Sequence, residues 1–107
     1  MKIESLFKDL EKDGWDLRIG GYMKSEYCIT DEEHDGIGIF IEEPENNDTF
    51  NITCKKWEAL SVELYDLQKI HKSDLPDNQV EYINNLASTM YKKGLMKYNL
   101  KKIQEDF

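Results

Sequence analysis

The chain has 107 residues, 39% of them hydrophobic and 34% charged, with 22 acids against 14 bases and a formal net charge of −8. A chain of this size is expected to fold as a single domain over residues 1–107, burying roughly 65% of its unfolded surface in one core without disulfide support. An acidic excess of this size repels phosphate, so it disfavours nucleic acid and anionic membranes as direct ligands and favours a basic protein partner.

The opening residues, MKIESLFKDLEKDG, carry charges throughout and lack the apolar centre of a signal peptide. No apolar run approaches the ~20 residues of a membrane-spanning helix, so a cytoplasmic location is expected. Ile3, Leu6, Phe7 and Leu10 fall at i, i+3, i+4 and i+7, the stripe of an amphipathic helix, and Gly14 is placed to end it. Trp15, Leu17 and Ile19 then alternate with Asp16, Arg18 and Gly20, which predicts a first strand. Gly20-Gly21 is a turn or bulge, and Tyr22–Thr30 is expected to be a second strand. Ile37, Ile39 and Ile41 alternate with Gly38, Phe40 and Glu42. After a break at Pro44–Asp48, Phe50, Ile52 and Cys54 alternate with Thr49, Asn51 and Thr53. The two runs predict a β-hairpin with one face turned inward. Cys28 and Cys54 lie in strand-type runs and read as small buried thiols of a reducing compartment, with a cross-strand disulfide as the alternative.

From Lys55 the spacing turns helical, with Trp57, Leu60, Leu64, Leu67 and Ile70 on one predicted core stripe. Ser73-Asp74-Leu75-Pro76 interrupts it. Asp74 is the expected N-cap of a second helix, which carries Val80, Ile83, Ala87, Met90 and Tyr91 as far as Gly94. Met96, Leu100, Ile103 and Phe107 then support a short third helix. The fold class expected is α+β: a small antiparallel sheet of three to four strands with an N-terminal helix and two to three C-terminal helices packed on one face.

The charge is unevenly spread, with 14 acids and 6 bases in residues 1–55 but 8 of each in residues 56–107. Between Ser25 and Cys54 stand nine acids, Glu26, Asp31, Glu32, Glu33, Asp35, Glu42, Glu43, Glu45 and Asp48, and no Lys or Arg. These nine are the candidate partner-binding residues. Asp31, Glu33, Asp35, Gly36 and Glu42 also occupy positions 1, 3, 5, 6 and 12 of a calcium-loop spacing. The third position is Glu, the eighth is Gly38 and the flanks read as strands, so an acidic turn feeding a strand is preferred and no metal site is expected. His34 and His71 stand apart with no zinc spacing around them. The chain lacks a nucleophile-elbow motif, a phosphate-binding glycine loop and a Cys/His signature. A non-enzyme without catalytic residues or cofactor is therefore expected. Lys92, Lys93, Lys97, Lys101 and Lys102, interleaved with Tyr91 and Tyr98, form a basic patch whose simplest role is to complement a helix C-terminus.

The segment MKIESLFKDLEKDGWDLRIGG, a short helix running directly into a strand, is followed by acidic strands and then helices. In this order of elements the chain resembles small acidic phage-encoded anti-CRISPR proteins. The resemblance is architectural, spans the whole chain and includes no diagnostic motif. It implies that the acids of Glu26–Asp48 block the DNA-entry site of an RNA-guided nuclease, while the basic C-terminal patch departs from an all-acidic mimic. The expected function is thus a non-catalytic inhibitor that binds the basic nucleic-acid-binding surface of a nuclease or its subunit by DNA mimicry. The alternatives are an immunity or antitoxin protein that neutralises a cationic toxin nuclease, and a calcium-responsive module built on Asp31–Glu42.

Overall fold

The structure, a computed structural model, describes residues 3–18, 21–30, 35–42 and 48–105. In chain order they form α1 (Ile3–Lys12), β1 (Asp16–Arg18), β2 (Gly21–Thr30), β3 (Gly36–Ile41), β4 (Thr49–Glu58), β5 (Ser61–His71), a 3-10 turn (Lys72–Asp74) and α2 (Gln79–Glu105). The five strands described make one antiparallel sheet in the order β1-β2-β3-β4-β5. Both helices lie on the same face of it, which makes an α+β fold. The long axis of the 50 × 22 × 22 Å molecule follows from α2, whose 27 residues extend roughly 40 Å.

Helix α1 ends as its sequence requires. Gly14 takes φ +106°, the Trp15 N–H donates to the Leu10 carbonyl at 3.1 Å, and the Gly14 N–H donates to Glu11 at 3.2 Å. This is a Schellman closure that only a residue without Cβ adopts at low cost. It turns the chain so that Trp15 drops into the core, fully buried, with its Nε1–H donating to Asn84 Oδ1 at 3.0 Å.

Strand β3 is the centre of the sheet. Ile37, Ile39 and Ile41 are all 0% exposed and face the helices, and burying each contributes about 1.5–3 kcal/mol. Their register pairs Ile39 with Cys54 and Ile41 with Ile52, so the alternation on β4 falls on the same face. Leu6, Phe7 and Leu10 of α1 and Ile83, Ala87 and Met90 of α2 close the core from above. Phe7 stacks on Tyr22 and meets Phe50 edge-on, with centroids 5.1 and 5.6 Å apart.

Three expectations are corrected. The segment Trp57–Ile70 is not a helix: β4 runs on to Glu58, turns at Ala59-Leu60 and returns as β5. The residues of the supposed core stripe are largely outside the core, Leu60 at 100%, Leu64 at 52% and Leu67 at 46% exposure. A bulge causes the confusion. Cys54 pairs with Asp66 but Lys55 pairs with Leu64, leaving Tyr65 as an extra residue, and this shift breaks the period of two that marks a strand. The C-terminal part is one long α-helix where two to three helices were expected. It begins at Gln79, behind Asn78, whose side chain donates to Glu81 at 3.1 Å, and Asp74 belongs to the 3-10 turn before it. The helix continues through Gly94 because this glycine is buried against the sheet, where a Cβ would overlap Cys54 Sγ. Finally, the sheet has five strands where three to four were expected, the fifth being the segment misread as a helix.

Candidate protein-binding surfaces

The hairpin that carries the acids forms as its alternation predicts, and it separates them. Asp35 stands at the start of β3 and Glu42 just after its end, so seven extended steps hold the two roughly 20 Å apart. Ligands of one calcium ion must all lie within about 2.6 Å of it. An extended strand between the fifth and twelfth positions therefore rules out the calcium-loop reading. Among the described residues no cluster of three or more His, Cys, Asp or Glu is arranged to hold a metal. Glu26 lies on β2 with a side chain 67% exposed and a distant Lys24 Nζ at 3.9 Å. Asp48 is exposed where β4 begins, and Asp35 is half-buried. Glu42 is half-buried and bound to Lys55 Nζ at 3.0 Å, which neutralises part of its charge. Asp31, Glu32, Glu33, Glu43 and Glu45, like His34, lie outside the described residues.

The opposite face of the sheet carries a feature the sequence reading missed. Neither of the described α-helices covers it, and paired residues that share this side include Phe40 with Met23, Lys55 with Leu64 and Trp57 with Val62. Gly36 and Gly38 make room for an indole to lie across β3. A Cβ on Gly36 would stand 2.5 Å from Trp57 Cζ2, and one on Gly38 would stand 3.3 Å from the same ring. Trp57 then meets Phe40 edge-on, with centroids 5.9 Å apart. The result is an open apolar groove of about 890 Å³, floored by Phe40, Trp57 and Met23, with Leu17 and Val62 as walls and Arg18 and Lys55 at its sides. Leu17 and Val62 are 57% and 65% exposed. The signal available in the sequence was the alternation Val62-Glu63-Leu64 together with two glycines spaced to accept an aromatic ring. The helical spacing of Trp57, Leu60 and Leu64 concealed it.

The two thiols fall on opposite sides of the sheet and are free. Cys54 is in the core, where burial pushes its pKa up to about 11, and Cys28 pairs with Gly38 on the groove side, its pKa also raised by burial. The cross-strand disulfide is thereby excluded. The basic patch works as a clamp. Lys101 Nζ donates to both Glu63 carboxylate oxygens at 2.6 Å, and this hydrogen bond lowers the Glu63 pKa. Lys97 and Lys101 also stand over the Tyr65 ring at 4.5 and 5.5 Å from its centroid, fastening α2 to β5. His71 is exposed at the end of β5. Among the described residues no helix is long and apolar enough to cross a membrane. In comparisons with known proteins the chain matches no family, no curated protein and no solved structure.

Proposed function

We propose that the chain is a non-catalytic inhibitor that binds a basic nucleic-acid-binding surface of a partner, a nuclease or its subunit, in the manner of the phage anti-defence proteins it resembles. The observation that carries this reading is the stretch Ser25–Cys54, with nine acids and no base in a chain of net charge −8. Within it the fully buried Ile37, Ile39 and Ile41 hold β3 in place, so the strand itself loses little further freedom on binding, which favours affinity. In sequence the acids cluster about Asp35 and Glu42, the two ends of a run spanning roughly 20 Å, and two such clusters can engage two separate groups of Lys and Arg side chains, as phosphates on two sides of a duplex do. Long-range attraction between opposite charges speeds encounter and excludes nucleic acid by competition for the same cations.

Purified chain should inhibit a susceptible nuclease stoichiometrically and without turnover. Added nucleic acid should relieve the inhibition, and association should slow as salt shortens the Debye length toward ~8 Å. Reversing Glu26, whose side chain is 67% exposed, to Lys should lower the association rate while leaving the melting temperature nearly unchanged. Inhibition by sub-stoichiometric chain, or an association rate indifferent to both salt and charge reversal, would overturn the proposal.

A further inference from the structure

We propose that the uncovered sheet face is a second docking site, for a partner polypeptide segment that combines aliphatic or aromatic side chains with acidic ones. The groove is large and open for a small molecule, and its floor of Phe40 and Trp57 between the exposed Leu17 and Val62 suits a row of side chains. An aromatic centre of this kind is what supplies most of the affinity in protein interfaces.

The charge of the face selects the partner. On this side β3, β4 and β5 carry Lys55 and Lys69 and no acid, while β1 sets Asp16 opposite the groove residue Met23 and places Arg18, the one arginine of the chain, in the groove lining. Lys55 is paired with Glu42, whereas Arg18 and Lys69 have no ion-pair or hydrogen-bond partner among the described residues. On a molecule of net charge −8 this is a local reversal of sign, and it complements carboxylates. A second copy fits poorly, since a two-fold pairing of this face sets Arg18 and Lys69 against the same two cations of the other copy. A single nucleic-acid strand fits poorly as well. Stacking requires aromatic platforms, while most of the apolar side chains here are the aliphatic Leu17, Val62, Leu64 and Leu67, and the overall charge opposes phosphate. The site goes beyond the inhibitory reading above and uses neither Glu26 nor Asp48.

The test is selection of a random peptide library displayed on phage against the immobilised full chain, followed by titration of the enriched synthetic peptide. Trp57 reports occupancy, because its indole lies at the groove while Trp15 is fully buried. The selected peptides are expected to join Leu, Ile or Phe to Asp or Glu and to shift Trp57 emission. The double variant Arg18→Glu/Lys69→Glu, at two exposed positions, is expected to weaken them by about tenfold or more. Reselection on that variant should enrich Lys and Arg. The proposal is overturned if enriched peptides lack acids or bind the double variant equally well. It is also overturned if oligothymidylate shifts Trp57 emission more tightly than the peptides do, or if sedimentation shows a dimer whose formation blocks them.

Discussion

A glycine within a helix costs roughly 0.5–1 kcal/mol relative to alanine, yet Gly94→Ala is expected to destabilise the protein. The added Cβ would overlap Cys54 Sγ and press on Ile37 Cδ1 at 3.2 Å, and overpacking of this kind costs typically about 1–3 kcal/mol. Urea unfolding should show a net loss for Gly94→Ala, and Cys54→Ala in the same chain should recover part of it as a coupling energy in a double-mutant cycle. A gain from Gly94→Ala alone would contradict the close approach. Thr53 offers the opposite sign: it is 0% exposed and its hydroxyl has no hydrogen-bond partner among the described residues. Thr53→Val keeps the shape and removes a desolvated polar group, so a gain of about 1 kcal/mol is expected in the same measurement. The thiols should also differ. With its pKa pushed up to about 11 and no exposure, Cys54 is expected to be labelled by a thiol reagent only as fast as the protein unfolds. Cys28, which is half-buried, should react first; labelling in the reverse order would exchange their environments.

How far the elements could be read from the sequence depended on which pairing contacts reinforce the local pattern. The α1 stripe and its Gly14 stop, and the alternation of Ile37–Ile41 and Phe50–Cys54, agree with the structure because local spacing and burial coincide there. The β4–β5 hairpin was concealed because a strand with one extra residue, Tyr65, presents apolar side chains at spacings that a helix also produces. Gly94 was read as a stop because the helix boundary rule cannot see the strand pressed against it. The acids are legible as a group, and their place at both ends of the strand is legible too, because the alternating run Ile37–Ile41 separates Asp35 from Glu42. A substitution series separates the two readings of Trp57–Ile70. Leu60→Lys and Leu64→Lys should each change stability by less than about 0.5 kcal/mol, whereas Ile70→Lys, on the buried side of β5 at 7% exposure, should destabilise by several times that. A core helix over this segment requires Leu60 and Leu64 to be costly.

At the scale of the whole molecule, acid and base limbs of stability are set in part by the bridge between Asp13 and Lys24, 2.8 Å long. The hydrogen bond from Lys24, then that from Asn84 at 2.7 Å, lowers Asp13 below its ordinary 3.8. Burial alone would lower Lys24, but the hydrogen bond and charge of Asp13 outweigh it and raise the ammonium above 10.5. A carboxylate with a depressed folded pKa contributes stability that is present above its unfolded value and lost as pH falls through the folded one. A raised lysine contributes below its unfolded value and loses that contribution as pH rises through the folded one. The bridge is thus constant across neutral pH and fades at both extremes. Asp13→Asn should flatten the acid limb of a melting-temperature profile and leave its slope at neutral pH unchanged. The effect should be shallow, because the Asp13 side chain is 36% exposed and solvent screens it.

The hydrogen bonds from Trp15 to Asn84 and from Asn84 to Asp13 join residues 69 and 71 positions apart, while each strand of the sheet pairs with its immediate neighbour in sequence. Hairpin contacts of low sequence separation cost little loop entropy and form early, whereas the closure between α1 and α2 must wait for nearly the whole chain to be in place. Asn84 therefore belongs to the last structure formed and the first lost. In stopped-flow kinetics Asn84→Ala should speed unfolding and barely alter the refolding rate, the behaviour of a residue whose contacts are absent from the transition state. The lifetime of the native state, more than its rate of formation, is set where the two helices meet.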